Sequence, residues 1–318
     1  MRAALPVLLL LALVLPAAAP APAPAAEARL QEYALLVDGE VATGLLGVPA
    51  GAPRSLVVYG HGYGNTVQSW RGHLLAAAER GHLAVAMDYS PWFDLDQGAA
   101  WTNAAAVALA EAHGLDLVVL FGVSMGAATT GLALAEAPRR GDGSALYDAW
   151  FAIEPLSALP ETWAQARLIG HPAAGQIEAD TGGTPWEQPQ AYARRSSAYR
   201  PLDLAAQVPE ALVVHAVNDG LVPHNQGRQL SLALRAAGMT VDFVTVLRGQ
   251  GSEGYGTMGT AALGLPNPLG LAGHGWEGSS THPVLATSFD RLWAYLDGAY
   301  RPSGAEVIVD DGLGILPR

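Results

Sequence analysis

Apolar residues fall along this chain in short runs spaced by stretches of helical period. Ser55–Tyr59, Leu83–Met87, Leu117–Phe121, Leu212–Val217 and Phe243–Leu247 are unbroken or nearly unbroken apolar runs of strand length, and Trp150–Ile153 offers one more. A strand buried on one face alternates apolar with polar residues; one buried on both faces does not. Between the runs lie helical patterns at Trp70–Arg80, Ala99–Ala112, Ala127–Ala137, Gln226–Ala237 and Val284–Leu296. In the first, Trp70, Leu74, Ala77 and Ala78 share a face; in the last, Leu285, Phe289, Leu292 and Leu296 do. Two further runs, Tyr33–Val37 and Val41–Val48, flank the turn pair Asp38-Gly39 and predict an antiparallel hairpin. Strands alternating with helices predict an α/β fold, with a mostly parallel sheet covered on both faces and an antiparallel edge. Reactive residues then belong beyond the carboxyl ends of the strands.

Two segments break this rhythm. Pro155–Pro201 carries Trp163, Trp186, Tyr192, Tyr199 and the turn-rich run Asp180–Pro185, and reads as a helical or irregular insertion over the sheet. Residues 155–201 are therefore expected to form a cap within a single domain spanning 27–318. The start of the chain reads as a secretory leader. Arg2 precedes the apolar stretch Leu5–Leu15, Ala17-Ala18-Ala19 follows, and Ala/Pro alternation continues to Ala26. Residues 1–26 are expected to be leader and spacer, the mature protein to be exported, secreted or periplasmic, and no stable membrane span to remain after cleavage.

Composition narrows the chemistry. Cysteine is absent, which excludes a disulfide framework, a thiolate nucleophile and Cys-ligated metal. Net charge is −12, and with no lysine and no basic cluster a nucleic-acid partner is not expected. Hydrophobic content of 50% is enough to fill one large core.

The most informative motif is Gly122-Val123-Ser124-Met125-Gly126, entered from the apolar run Leu117–Phe121 and followed by a helical pattern. G-x-S-x-G between strand and helix is the context of a nucleophile elbow, in which a sharp turn lifts the serine hydroxyl above the sheet. Serine needs a base, and the base needs an orienting carboxylate. In chain order after Ser124, Asn218-Asp219-Gly220 ends an apolar strand and offers Asp219. Asp203 and Asp242 are less well placed. Beyond the last strand stand His274, within Gly273-His274-Gly275, and His282 at a helix start; His274 is favoured. Glu277 and His282 are candidates for supporting the site.

An oxyanion hole needs two backbone donors. Met125 N–H follows the nucleophile. The loop Gly60-His61-Gly62-Tyr63-Gly64 supplies the other, with Tyr63 N–H preferred and Gly62 as alternative, and His61 is expected to hydrogen-bond this loop. Without lysine or a following G-K-[ST] the loop is not a phosphate cradle. His61 and His73 lack the spacing of a metal pair, and Asp142-Gly143 and Asp310-Asp311-Gly312 lack that of a calcium loop, so no metal or cofactor is expected.

The ordered motifs resemble the α/β-hydrolase superfamily, over roughly Ser55–Leu296. The resemblance implies an eight-stranded sheet with Ser124 after the fifth strand. Tyr63 with Met125 is similar to the oxyanion pair of secreted lipase- and cutinase-like esterases. Those enzymes usually carry a disulfide near the C-terminus, and this chain departs from them there. The expected activity is hydrolysis of a small or lipid-like carboxylic ester by Ser124, Asp219 and His274, with Trp163, Trp186 and Tyr192 in the substrate pocket. The oligomeric state is left open. One alternative is a serine peptidase, an exopeptidase or a prolyl-oligopeptidase-like enzyme, for which Glu154, Glu178 or Asp180 would pair with a substrate amine. Another is a non-catalytic binding module on the same fold.

Overall fold

The computed structural model describes residues 27–247, 273–310 and 314–317; the leader and spacer expected at 1–26 lie outside them. Among the described residues ten strands form one sheet: β1 (Arg29–Val37), β2 (Glu40–Val48), β3 (Leu56–Gly60), β4 (Leu83–Met87), β5 (Val118–Val123), β6 (Ala149–Ile153), β7 (Glu210–Ala216), β8 (Thr240–Val246), β9 (Glu306–Asp310) and β10 (Gly314–Pro317). Their order is β1-β2-β4-β3-β5-β6-β7-β8-β9-β10. The strands from β4 to β9 in that order pair in parallel, and antiparallel pairs close both edges. The first hairpin turns at Asp38-Gly39, both with positive φ, as a two-residue loop matched to strand twist requires.

The expectation of eight strands is corrected to ten, and Ser124 does follow the fifth in sequence. The added pair is β9 and β10. Val307-Ile308-Val309 is short and closely followed by acidic residues, so it reads as a turn-flanked tail until β8 offers it an edge to extend.

The helices are α1 (Arg71–Glu79), α2 (Leu95–His113), α3 (Met125–Ala135), α4 (Leu159–Leu168), α5 (Ala173–Thr181), α6 (Pro189–Arg194), α7 (Pro201–Ala205), α8 (His224–Ala236) and α9 (Pro283–Leu296). Central strands split their side chains between two cores. Leu56, Val58, Leu83, Val85, Val118 and Leu120 pack with α2, α3 and α8. Val57, Tyr59, Ala84, Ala86, Val119 and Phe121 pack with α1 and α9 on the opposite face. That division explains why these strands are apolar at every position.

Helices α4 to α6 belong to the segment 155–201. A chain of ion pairs fastens it to α2 and α3. Arg195 meets Asp96 and lies 3.1 Å from Asp180, and Arg194 lies 2.8 Å from Glu136. Among the described residues, no helix is long and apolar enough to cross a membrane.

Candidate active site

The carboxyl ends of β3, β5, β6 and β7 converge where the chain order reverses around β3 and β5, the place where open α/β sheets bind ligands. Ser124 leaves β5 with φ +57° and ψ −123° and begins α3. This left-handed turn is costly for a non-glycine residue and is held by close packing around it. A Cβ on Gly126 would stand 2.1 Å from Gly60 O, and one on Gly122 would stand 2.4 Å from Gly126 O. Only glycine at both positions lets β3, β5 and α3 approach this closely. Met125 opens α3, so its N–H has no acceptor within the helix.

The loop after β3 is braced from both sides. His61 stacks on Tyr89 at 3.9 Å, and its Nδ1 lies 3.2 Å from Gly62 O. Burial holds its pKa below the usual value. On the other side, Glu277 accepts from Gly62 N–H and, at 2.6 Å, from Asn65 Nδ2. The alternative oxyanion donor, Gly62, is thus committed to Glu277. Burial raises the Glu277 carboxyl to about 7, against these hydrogen bonds. His73, by contrast, stacks on Phe289 at 3.9 Å in the core on the far side of the sheet.

Asp219 sits in the turn after β7, and its two oxygens have separate partners. Oδ1 accepts the N–H groups of Leu221 and Val222 at 2.8 and 2.9 Å. Oδ2 lies 2.7 Å from His274 Nδ1 and 3.2 Å from His215 Nε2. Burial pushes this carboxyl up, but the facing His274, with help from His215, holds it well below the usual carboxylate range. Burial would lower His274, yet Asp219 and then Glu154 outweigh it and raise the imidazole to about 9. Gly273 makes the approach feasible: a Cβ there would meet the Asn218–Asp219 backbone at 2.4 Å. His282 is also buried but caps the start of α9, with its N–H donating to Ser279 Oγ at 3.0 Å. It is His274 that the structure pairs with Asp219.

Asp203 is exposed and paired with Arg200 at 2.7 Å. Asp242, at the amino end of β8, accepts from Tyr300 O–H and from the N–H groups of Ser303 and Ala305. The sequence reading missed His215 and the role of Glu154. His215 lies within the apolar run of β7 and hides there as a strand residue. Glu154, expected only as a partner for a substrate amine in the peptidase alternative, is fully buried at the end of β6. Its Oε2 accepts Gly275 N–H and lies 3.4 Å from His274 Nδ1. A carboxylate directly after an apolar strand is the same signal that singled out Asp219.

A cavity of about 340 Å³ opens over Ser124. Its walls are Tyr63, Trp92 and Phe93, Leu156, Ala166, Ile169 and Ala173 from the 155–201 segment, and Leu221 and Val222 from Asp219's turn. Polar character comes from Thr162, Gln165 and His171, the last with its pKa lowered by burial. The expected pocket residues Trp163, Trp186 and Tyr192 are not among its walls. Trp163 turns its Nε1 to Glu178 at 2.8 Å and packs edge-on against Trp186, which is 77% exposed. Tyr192 is buried, with its O–H donating to Gly183 O at 3.1 Å. These aromatics tie the segment to itself, because each finds a partner inside it before it can reach the serine.

Comparisons with known proteins agree with this architecture. The profile of the prolyl oligopeptidase family matches residues 96–251. A search of curated proteins found no match. Among solved structures, acylaminoacyl peptidase from Pyrococcus horikoshii aligns at TM-score 0.59 and 13% identity, over 87% of this chain and 42% of that one. A puromycin-hydrolyzing peptidase of Mycobacterium tuberculosis aligns at 0.60 and 17%, over 90% and 41%. A thermostable esterase from Pseudomonas putida aligns at 0.59 and 17%, over 87% and 85%. This chain therefore spans less than half the length of the two peptidases. The architecture is the α/β-hydrolase fold shared by these structures, and the family profile matches just under half of the chain.

Proposed function

We propose that the chain is a carboxylic-ester hydrolase acting through an acyl-enzyme on Ser124. The observation that carries this reading is the cavity over Ser124, which is apolar and has no carboxylate among its described walls. An exopeptidase that recognises a free amine needs a buried anion there. The three carboxylates that could have served are committed elsewhere: Glu154 to the His274 loop, Glu178 to Trp163, and Asp180 to Arg195. An apolar pocket of this size suits an acyl chain or an aromatic ester.

In this mechanism Ser124 Oγ attacks the ester carbonyl while His274 Nε2 takes its proton. Asp219 holds the Nδ1–H and stabilises the imidazolium. The amides of Tyr63 and Met125 receive the developing oxyanion, and the positive end of α3 adds to that field. His274 then protonates the leaving alcohol and afterwards activates water for deacylation. The segment 155–201 acts as a cap that supplies one wall of the pocket. The leader at 1–26 directs export, which N-terminal sequencing of protein recovered outside the cytoplasm checks.

The family profile favours a second reading, a serine peptidase with the same residues. A substrate panel separates the two. Turnover of p-nitrophenyl acetate, butyrate and benzoate is compared with that of aminoacyl and peptidyl anilides. The ester reading predicts higher kcat/KM on esters, with butyrate or benzoate above acetate. Higher kcat/KM on the anilides would establish the peptidase instead.

The pH profile follows from His274. Its neutral form is the base, so activity is present above the imidazole pKa and lost as pH falls through it. That pKa is raised to about 9, so kcat/KM is expected to climb through the mildly alkaline range. An acid limb at the ordinary histidine value, near ~6.5, would contradict the assigned environment.

A further inference from the structure

His274 Nδ1 is faced by two buried carboxylates, where an orienting acid normally stands alone. Asp219 Oδ2 is at 2.7 Å and Glu154 Oε2 at 3.4 Å. One oxygen from each and a histidine nitrogen lie within 4.8 Å of one another. The two acids come from separate strands. Asp219 follows β7, while Glu154 follows β6 directly and adopts φ +45°, a left-handed conformation rare for glutamate. Strain of that kind persists only where the surroundings fix it. Here Glu154 N–H donates to Val214 O at 2.8 Å, and its carboxylate accepts Gly275 N–H from the residue after the catalytic histidine. Gly275 is tightly packed at this contact: a Cβ there would stand 2.2 Å from Leu285 Cδ2 and 3.2 Å from Glu154 Oε2.

We infer that Glu154 is a second acid for His274, which positions the imidazole alongside Asp219 and takes over Nδ1 when Asp219 is removed. This rests on the Ser124–His274 reading of the site. Two carboxylates this close do not both ionise readily, and the proton they share belongs to the pair. Asp219, with the shorter contact to His274 and two backbone donors on Oδ1, keeps the charge. Glu154 keeps the proton, and burial and the Asp219 charge hold its carboxyl well above the usual range. The other titratable groups around the pair are His215 from β7, and Glu277 and His282 from the loop leading into α9. With Asp219 gone, Glu154 releases its proton to solvent, and its carboxylate accepts the Nδ1–H that Asp219 held. With both present, ionisation of Glu154 at alkaline pH adds a second negative charge beside the imidazole and raises its proton affinity.

A double-mutant cycle on the full chain tests this, with p-nitrophenyl butyrate as substrate and a fluorophosphonate probe reporting the folded site. Glu154→Gln keeps an acceptor for Gly275 N–H and removes the ionisable acid. It is expected to cost less than about 10-fold in kcat/KM at the optimum and to move the acid limb down by about one pH unit. Asp219→Ala is expected to lose about 100-fold, short of the ~10⁴-fold loss seen when a lone triad acid is removed. Glu154→Gln added to Asp219→Ala is expected to cost a further ~100-fold, so the two changes are strongly non-additive. Equal cost of Glu154→Gln in both backgrounds would overturn the inference. So would an unmoved acid limb in the single variant, a readout that stands even if Asp219→Ala fails to fold. Absence of probe labelling on the wild-type chain would instead overturn the Ser124–His274 reading, and the inference with it.

Discussion

Ser124→Ala is expected to reduce kcat/KM on p-nitrophenyl esters by at least about four orders of magnitude, because no other group at the site can form the acyl-enzyme. The structure makes this a clean substitution. Ser124 is 4% exposed, and no hydrogen bond of its side chain contributes to capping α3. Alanine has the same Cβ and bears the same φ of +57° at similar cost. The variant should therefore melt within a few degrees of the wild type. Substantial ester turnover by that folded variant would show that the nucleophile lies elsewhere.

Gly126→Ala is expected to damage fold and activity together. Its Cβ would fall 2.1 Å from Gly60 O and 2.4 Å from Gly60 C. Both obstacles are backbone atoms, so no side chain can swing aside. Helix α3 must retreat from the loop after β3, which also separates the amides of Met125 and Tyr63. Overpacking of this kind costs about 1–3 kcal/mol, occasionally more. A displaced oxyanion donor costs a further ~10²-fold in rate. Gly72 is the internal control: it lies in α1 with nothing within 4 Å of an added Cβ. Gly72→Ala should be neutral or stabilise by about 1 kcal/mol through helix propensity. Thermal melts and ester kinetics on both variants decide the matter. Equal tolerance at Gly72 and Gly126 would mean the elbow is not packed as described.

The contrast between these two glycines also shows what the sequence could reveal. Gly122 and Gly126 flank a serine at a fixed spacing after an apolar run, and that spacing is itself a steric requirement, so the elbow was legible. Asp219 and His274 were legible for a related reason: each sits in a short polar, glycine-bearing stretch that has no place in a strand or helix core. Glu154 directly follows Trp150–Ile153, yet the sequence offers it only as a partner for a substrate amine, because the insertion beginning at Pro155 masks its place at a strand end. His215 was hidden by period: within a strand buried on both faces, one histidine reads as a core residue. Trp163, Trp186 and Tyr192 show the opposite limit. Their size predicts burial or contact, but which face they turn depends on partners such as Glu178 and Gly183, which only the fold brings near. The terminal strand β9 is too short to read from sequence, since Val307–Val309 gains its pairing from β8 on one side and β10 on the other.

The most direct measurement is the intact mass of the protein, acid-quenched during turnover of p-nitrophenyl butyrate, followed by peptide mapping. Wild-type protein should gain the mass of one butyryl group, located on the peptide containing Ser124, and the adduct should decay as product forms. His274→Ala should show no such adduct on the same timescale. Turnover with no acyl adduct at any quench time, or an adduct mapped to a residue other than Ser124, would contradict the account.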